Sequence, residues 1–300
     1  MFLRPLLMFF ETAVFISRVF GQETQSTPSG FNWDVIKYVF ASGDSYSFVQ
    51  GTRGCTNFSF IGDALNLPFT PQELLTDEII PKMTSSEGSN WLEYLTRCFS
   101  GQPSACPRQL WNFAFAGADI DKALLPLHHE FTVPLVDQVN QWATYASNTI
   151  PHPPAQTLTT WWIGINDTGD TVDNSTITDI NAFWELEMTS YFNAVNVAYR
   201  HGLRNHLFLN VPPGERAPAT VNNSTKAAIQ RFRILQFNTI LARHISSFAA
   251  AHTATFGFAN VTGFCTCADP AGFFWYNSGH PTEQVHEVLA KAIEAQLHLK

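Results

Sequence analysis

The sequence predicts an α/β fold, a three-layer α/β/α sandwich around a mostly parallel sheet of about five strands. Two observations lead there. Short apolar runs rich in Val, Ile, Phe and Trp recur at wide spacing, each followed by Gly, Pro, Asn or Asp, as strands that end in loops should be. Between them lie stretches with helical periodicity, so strand and helix alternate. With 300 residues and 45% apolar content, the chain can bury one large core, and neither a long linker nor an internal repeat divides it.

The expected strands are "VIKYVFA" (35–41), "LWNFAFA" (110–116), "LTTWWIGI" (158–165), "HLFLNV" (206–211) and "TFGFANV" (255–261). They are near-continuous rather than alternating, which is the pattern of strands covered on both faces. The clearest helix is the run 224–252, with Ile229, Phe232, Leu235, Ile240, Ile245 and Phe248 expected on its buried stripe. The segment 66–93 and "IPHPPAQ" (150–156) read as loops or connectors.

The first 21 residues have a basic start and an apolar stretch, interrupted by Glu11 and Arg18, with Val19 and Gly21 before a plausible cut. They read as a signal peptide, followed by a short tail over 22–32 and a single domain over 33–300. Secretion fits the Asn-x-Ser/Thr sites at Asn57, Asn166, Asn174, Asn222, Asn223 and Asn260, which can carry glycans on exposed loops. Of the five cysteines, Cys98 and Cys106 span the short segment "CFSGQPSACP" and are the favoured disulfide pair, with Cys55, Cys265 and Cys267 left over. Without two Cys-x-x-Cys pairs, a zinc site is not expected. The formal charge of −8 and the absence of a Lys/Arg cluster exclude a nucleic-acid or anionic-membrane partner on electrostatic grounds.

In sheets of this kind ligands bind beyond the carboxyl ends of the strands. There the sequence places Gly43, Asp44 and Ser45 after the first strand, Gly117 after the second, and Gly164 and Asn166 after the third; His280 lies near the C-terminus. Taken singly, each is most simply a turn or helix-entry residue. Taken together, they supply a hydroxyl nucleophile, a base that is neutral at physiological pH, and uncharged donors for an oxyanion.

The order of these residues resembles that of the SGNH, or GDSL-type, hydrolases, from about Trp33 to the C-terminus. "ASGDSYS" resembles the first block, "FAFAGAD" the second, "IGIND" the third and "FFWYNSGHPTEQVHEVLA" the fifth. Further likeness in "SNWLEYLT" (89–96), "LWNFAFAGADID" (110–121) and "LNVPPGERAP" (209–218) is to fungal secreted carbohydrate esterases of family 16, acetylesterases acting on plant cell-wall sugars.

The resemblance implies Ser45 as nucleophile, His280 as base, and an oxyanion hole from the N–H groups of Ser45 and Gly117 and the amide of Asn166. It implies no cofactor or metal. The partner it implies is an acetylated oligosaccharide or other small ester, with a GDSL-type lipase or phospholipase, or a non-catalytic carbohydrate-binding relative, as the alternatives. One position departs from the pattern: the last block usually has an aspartate three residues before the histidine, and here Asn277 stands there. The Asn277 side-chain oxygen, its backbone carbonyl, or an acid such as Asp269 is then expected to accept the proton on Nδ1 of His280. Burial of Asn166 in the oxyanion hole argues against its glycosylation. Asn90, Trp91 and the "GERAP" loop are expected on a polar rim that favours a sugar. Trp91, Trp161 and Trp162 read either as sugar-stacking or, more simply, as core. The pair His128–His129 reads as surface or packing.

Overall fold

The computed structural model describes residues 31–62, 69–252, 255–259 and 274–299. The signal-peptide segment 1–21, the tail up to residue 30, and Cys265, Cys267 and Asp269 lie outside the described residues. Five strands form one sheet: β1 (Tyr38–Gly43), β2 (Gln109–Asn112), β3 (Thr157–Trp162), β4 (Asn205–Leu209) and β5 (Thr255–Ala259). All pairs are parallel, and the spatial order is β2-β1-β3-β4-β5. Every residue of β1 to β4 is buried, as required of a sheet with helices on both faces.

The α-helices are α1 (Pro71–Leu75), α2 (Trp91–Thr96), α3 (Leu135–Gln141), α4 (Ile165–Asp170), α5 (Ile180–Arg200), α6 (Pro218–Val221), α7 (Ser224–Ala251) and α8 (Glu283–His298). Helices α3, α5 and α7 pack side by side, and α2 packs against α8. No helix among the described residues is long and apolar enough to cross a membrane. Cys98 and Cys106 form the expected disulfide, with Cα atoms 5.4 Å apart.

Several expectations are corrected. Val35 ends a 3₁₀ turn and β1 starts only at Tyr38, and β2 ends at Asn112, although the N–H groups of Phe113 and Phe115 still donate to the Ala41 and Gly43 carbonyls of β1. The stretch taken as loop over 66–93 contains α1 and the start of α2. Each of these helices is begun by a capping box, Thr70 with Glu73 and Asn90 with Glu93. In α7 the expected stripe holds from Ile240 onward, but Phe232 and Leu235 are exposed, and Ile234 and Phe237 are buried in their place. Two successive steps of three, from 229 to 232 to 235, rotate about 120° away from the core at 100° per residue, whereas steps of three and four from Ile234 stay on it.

Trp91, Trp161 and Trp162 are all buried core residues and present no face to a sugar. Asn90 is also buried, not on a rim. Its oxygen caps α2, and its amide donates to the carbonyls of Ser47 and Phe48.

The carboxyl edge of the sheet is too crowded for side chains at two points. A Cβ on Gly43 would lie 2.2 Å from the Trp162 carbonyl oxygen. Gly164 has φ +107°, and a Cβ there would lie 2.3 Å from the ring of Phe237 on α7. Gly164→Ala combines backbone strain with overpacking and is expected to destabilise the protein by about 2 kcal/mol or more, read as a lower urea midpoint at unchanged slope.

Candidate active site

The chain leaves β1 through Asp44 into a tight turn in which the Asp44 carbonyl accepts the N–H groups of Ser47 and Phe48. From Tyr38 to Gln50, Ser45 is the one residue that is not buried, so the turn exposes a single hydroxyl. The buried side chain of Gln138, on α3, holds the strand end. Its Oε1 accepts the Gly43 N–H at 2.9 Å, and its Nε2 donates to the Gly43 carbonyl at 2.8 Å and to Val133 O at 2.9 Å. No sequence pattern marks this residue.

His280 arrives from the other end of the chain. Tyr276 N–H donates to the His280 carbonyl, Thr282 N–H donates to Phe274 O, and Ser86 Oγ donates to Pro281 O, which makes residues 274–282 a tied loop. Tyr46, the neighbour of Ser45, donates its hydroxyl to the Gly279 carbonyl and packs its ring 5.6 Å from that of His280. The nucleophile turn and the histidine loop are thereby fastened together. Tyr46 was readable in "ASGDSYS", but its partner was not.

The result is a Ser45 Oγ 2.9 Å from His280 Nε2. On the far side of the ring, Nδ1 lies 3.0 Å from Asn277 Oδ1. That oxygen also accepts the N–H groups of Gly279 at 3.0 Å and His280 at 2.9 Å. Two backbone donors fix which end of the amide is oxygen, since a flipped amide would set its NH₂ against them. Nδ1 therefore carries the proton, and the Nε2 lone pair faces the serine. Among the described residues, the Asn277 side-chain oxygen is the acceptor in place for Nδ1, and Asp269 lies outside them. The amide orients the ring but brings no charge, so burial alone acts on the imidazole and pushes its pKa down to about 4.

The candidate oxyanion donors come from three strand ends. The N–H groups of Ser45 and Gly117 bond to no other described residue. Gly117 has φ +82°, in the region that favours glycine. Asn166, in the first turn of α4, is half-buried and spends one amide hydrogen on Ala118 O at 2.9 Å, which orients the other hydrogen. Asp167 binds the same segment by accepting the Ile120 N–H at 2.9 Å. A short ester seated at Ser45 has a nucleophile, a base and uncharged donors within one cleft, which is the equipment of acyl transfer.

Behind this cleft lie carboxyls that sequence reasoning missed. Asp44, Asp119, Asp167 and Glu187 are all buried. Burial and their mutual repulsion push Asp44 up to about 8, Asp167 to about 7, and Asp119 and Glu187 to about 10. The upward shift of Asp44 favours its neutral acid form and so lessens the negative charge facing an oxyanion beside Ser45. His128 is at the surface, as expected, and its Nε2 lies 2.6 Å from Asp170 Oδ2. His129 does pack, stacked on Phe131.

No family model matches the chain. It is similar to an acetylesterase of Thermothelomyces thermophilus, 25% identical over 282 residues, covering 86% of this chain and 87% of that protein. Among solved structures it is similar to a catalytic mutant of an acetylxylan esterase from Geobacillus stearothermophilus (12% identity, 88% and 95% of the two chains, TM-score 0.49). It is also similar to an aryl esterase of M. smegmatis (14% identity, 88% and 99%, TM-score 0.43). The parallel sheet, with Ser45, Gly117, Asn166 and His280 grouped at its carboxyl edge, agrees with what the resemblance to SGNH-type hydrolases implies, and the chain is a distant homologue of an acetylesterase.

Three outcomes follow for turnover on a short ester. A base that stays neutral down to about pH 4 should keep kcat/KM level well below the ordinary histidine value of 6.5 before its acid limb falls. Asn277→Asp sets a carboxylate against Nδ1, favours the imidazolium, and should move that limb up by about 1–3 pH units while turnover at neutral pH rises or holds. An acid limb unmoved by this substitution would mean that the limb is not the titration of His280. Asn166→Ala should lower turnover by about 10²–10³, the range for one oxyanion donor. A loss of tenfold or less would place another group in the hole.

Proposed function

We propose that this chain is a secreted serine esterase that hydrolyses short-chain, acetyl esters of plant cell-wall carbohydrates through an acyl-enzyme. The observation that carries the proposal is the ordered pair of contacts across one imidazole, Ser45 Oγ to Nε2 at 2.9 Å and Nδ1 to Asn277 Oδ1 at 3.0 Å, beside unclaimed oxyanion donors.

In the first half-reaction Ser45 Oγ attacks the ester carbonyl as its proton passes to His280 Nε2. The carbonyl oxygen takes the electron pair and is held by the Ser45 and Gly117 N–H groups and the free hydrogen of Asn166. As the tetrahedral centre collapses, the ester C–O bond breaks and Nε2 delivers the proton to the leaving alcohol oxygen. In the second half, water gives a proton to Nε2 and attacks the acyl carbon, and Ser45 leaves with that proton, releasing the acid. The Asn277 oxygen holds Nδ1–H throughout, so the ring cannot turn to the unproductive tautomer.

The acetyl preference is supported by the homology to an acetylesterase, since Asn90 and Trp91, expected to form a sugar-facing rim, are buried. The secreted location rests on residues 1–21, and glycan attachment on the sequons other than Asn166.

Ser45→Ala should remove hydrolysis of 4-nitrophenyl acetate and of an acetylated xylo-oligosaccharide by roughly a thousandfold or more, with an unchanged melting temperature. Unchanged turnover in the purified variant would refute the assignment. Activity of the wild type should fall steeply from acetyl to octanoyl esters. The reverse preference would indicate a lipase, and a wild type inert on every short ester would indicate a non-catalytic relative.

A further inference from the structure

The segment after Gly117 and the helix that carries Asn166 meet at a second cluster, distinct from the serine and histidine. Asp119 stands two residues beyond Gly117, and Asp170 stands four residues beyond Asn166, while His128 comes from the loop that follows. One ligand atom from each of Asp119, His128 and Asp170 lies within 4.8 Å of the others. His128 Nε2 is 2.6 Å from Asp170 Oδ2 and 3.9 Å from Asp119 Oδ2.

His128 and Asp170 alone would be an ordinary exposed pair. Asp119 makes the difference. Its side chain is 2% exposed and aimed at that pair, yet neither of its oxygens has a hydrogen-bond partner among the described residues. One oxygen of Asp167 and both of Glu187 are likewise unpartnered. Among the described residues no Lys or Arg forms an ion pair with any of these buried acids, and a buried carboxylate without a counter-charge is costly.

We propose that Asp119, His128 and Asp170 bind a divalent ion of the zinc or manganese class, which clips the Gly117 segment to α4. One imidazole nitrogen and two carboxylates form a borderline-to-hard donor set of the kind these ions accept. Bonds of about 2.0–2.2 Å set neighbouring ligand atoms about 3.3 Å apart at a tetrahedral angle. The close His128–Asp170 pair opens to that spacing and Asp119 closes on His128, each by less than about an ångström, while Asp119 and Asp170, within 4.8 Å of each other, close by at most about 1.5 Å. Two positive charges then sit against the carboxyl group of Asp119 and near those of Asp167 and Glu187, which supplies the cation the cluster lacks. The fourth position is open to water on the exposed side, where Asp170 lies.

The test is binding to the full chain without substrate, so its failure is separate from any failure of the esterase reading. Protein stripped with a chelator and dialysed is titrated with zinc chloride and with manganese chloride by calorimetry, and its melting temperature is followed in parallel. The expected result is saturable binding of about one ion per chain by at least one of the two salts, with a raised melting temperature that the chelator reverses. His128→Gln and Asp170→Asn, both at partly exposed positions, should each weaken binding at least tenfold, and Asp119→Asn should do so without relying on either. No saturable binding of either ion up to millimolar concentration, which would leave shared protons as the way the acids coexist, overturns the proposal. So does binding that persists unchanged in the three variants.

Discussion

Everything at this site depends on a reversal in the order of the strands. β1 pairs with β2 on one side and β3 on the other, so the chain leaves β1 first towards one edge and later returns to begin the other half of the sheet. The loops after these strands diverge and leave a crevice at the carboxyl edge. Ser45, Gly117 and Asn166 enter that crevice from β1, β2 and β3 in turn. The close approach of Gly43 to the Trp162 carbonyl, and of Gly164 to Phe237, shows how tightly the crevice floor is drawn together. Side chains at those two points would push the loops apart before they could cooperate.

The histidine is held by geometry in place of charge. A carboxylate beside Nδ1 would orient the ring and also stabilise the imidazolium. Asn277 does the first without the second, and it does so because two backbone N–H groups of its own loop pin its oxygen. The ring's other support is mechanical, through the Tyr46 hydroxyl on Gly279 and the tied loop of residues 274–282. Separating orientation from charge leaves the base weak, since a partly buried imidazole without an anion holds its proton poorly. The buried acids do not repair this, because burial is the one influence acting on the His280 pKa.

The strands and the residues at their ends were legible in the sequence, because each rests on a local signal: an apolar run, then a turn. The same locality explains Ser45, Gly117, Asn166 and His280, which sit at loop positions that short motifs define, and the pairing of Cys98 with Cys106 across a short loop. The misreadings are of another kind. Phe232 and Leu235 were placed inside α7 because residue spacing does not say where the stripe is anchored. Asn90 and Trp91 were given to the cleft rim because composition does not distinguish a wall from a core, whereas Trp161 and Trp162 lie in the core as the simpler reading had it. Gln138 on Gly43 and the meeting of Asp119, His128, Asp167 and Glu187 were invisible, since each joins elements whose neighbourhood only the folded chain defines.

Ser45 and His280 are 235 residues apart, and the histidine precedes only the last helix. A ribosome adding roughly 5–20 residues per second finishes the nucleophile turn ~10–50 s before the histidine exists. The loop of residues 274–282 cannot close until α8 has been made and has docked on α2, where Glu283 accepts from Ser89 N–H and Tyr94. A chain still under synthesis thus carries Ser45 without its imidazole partner, and the pair can form only as the last helix docks.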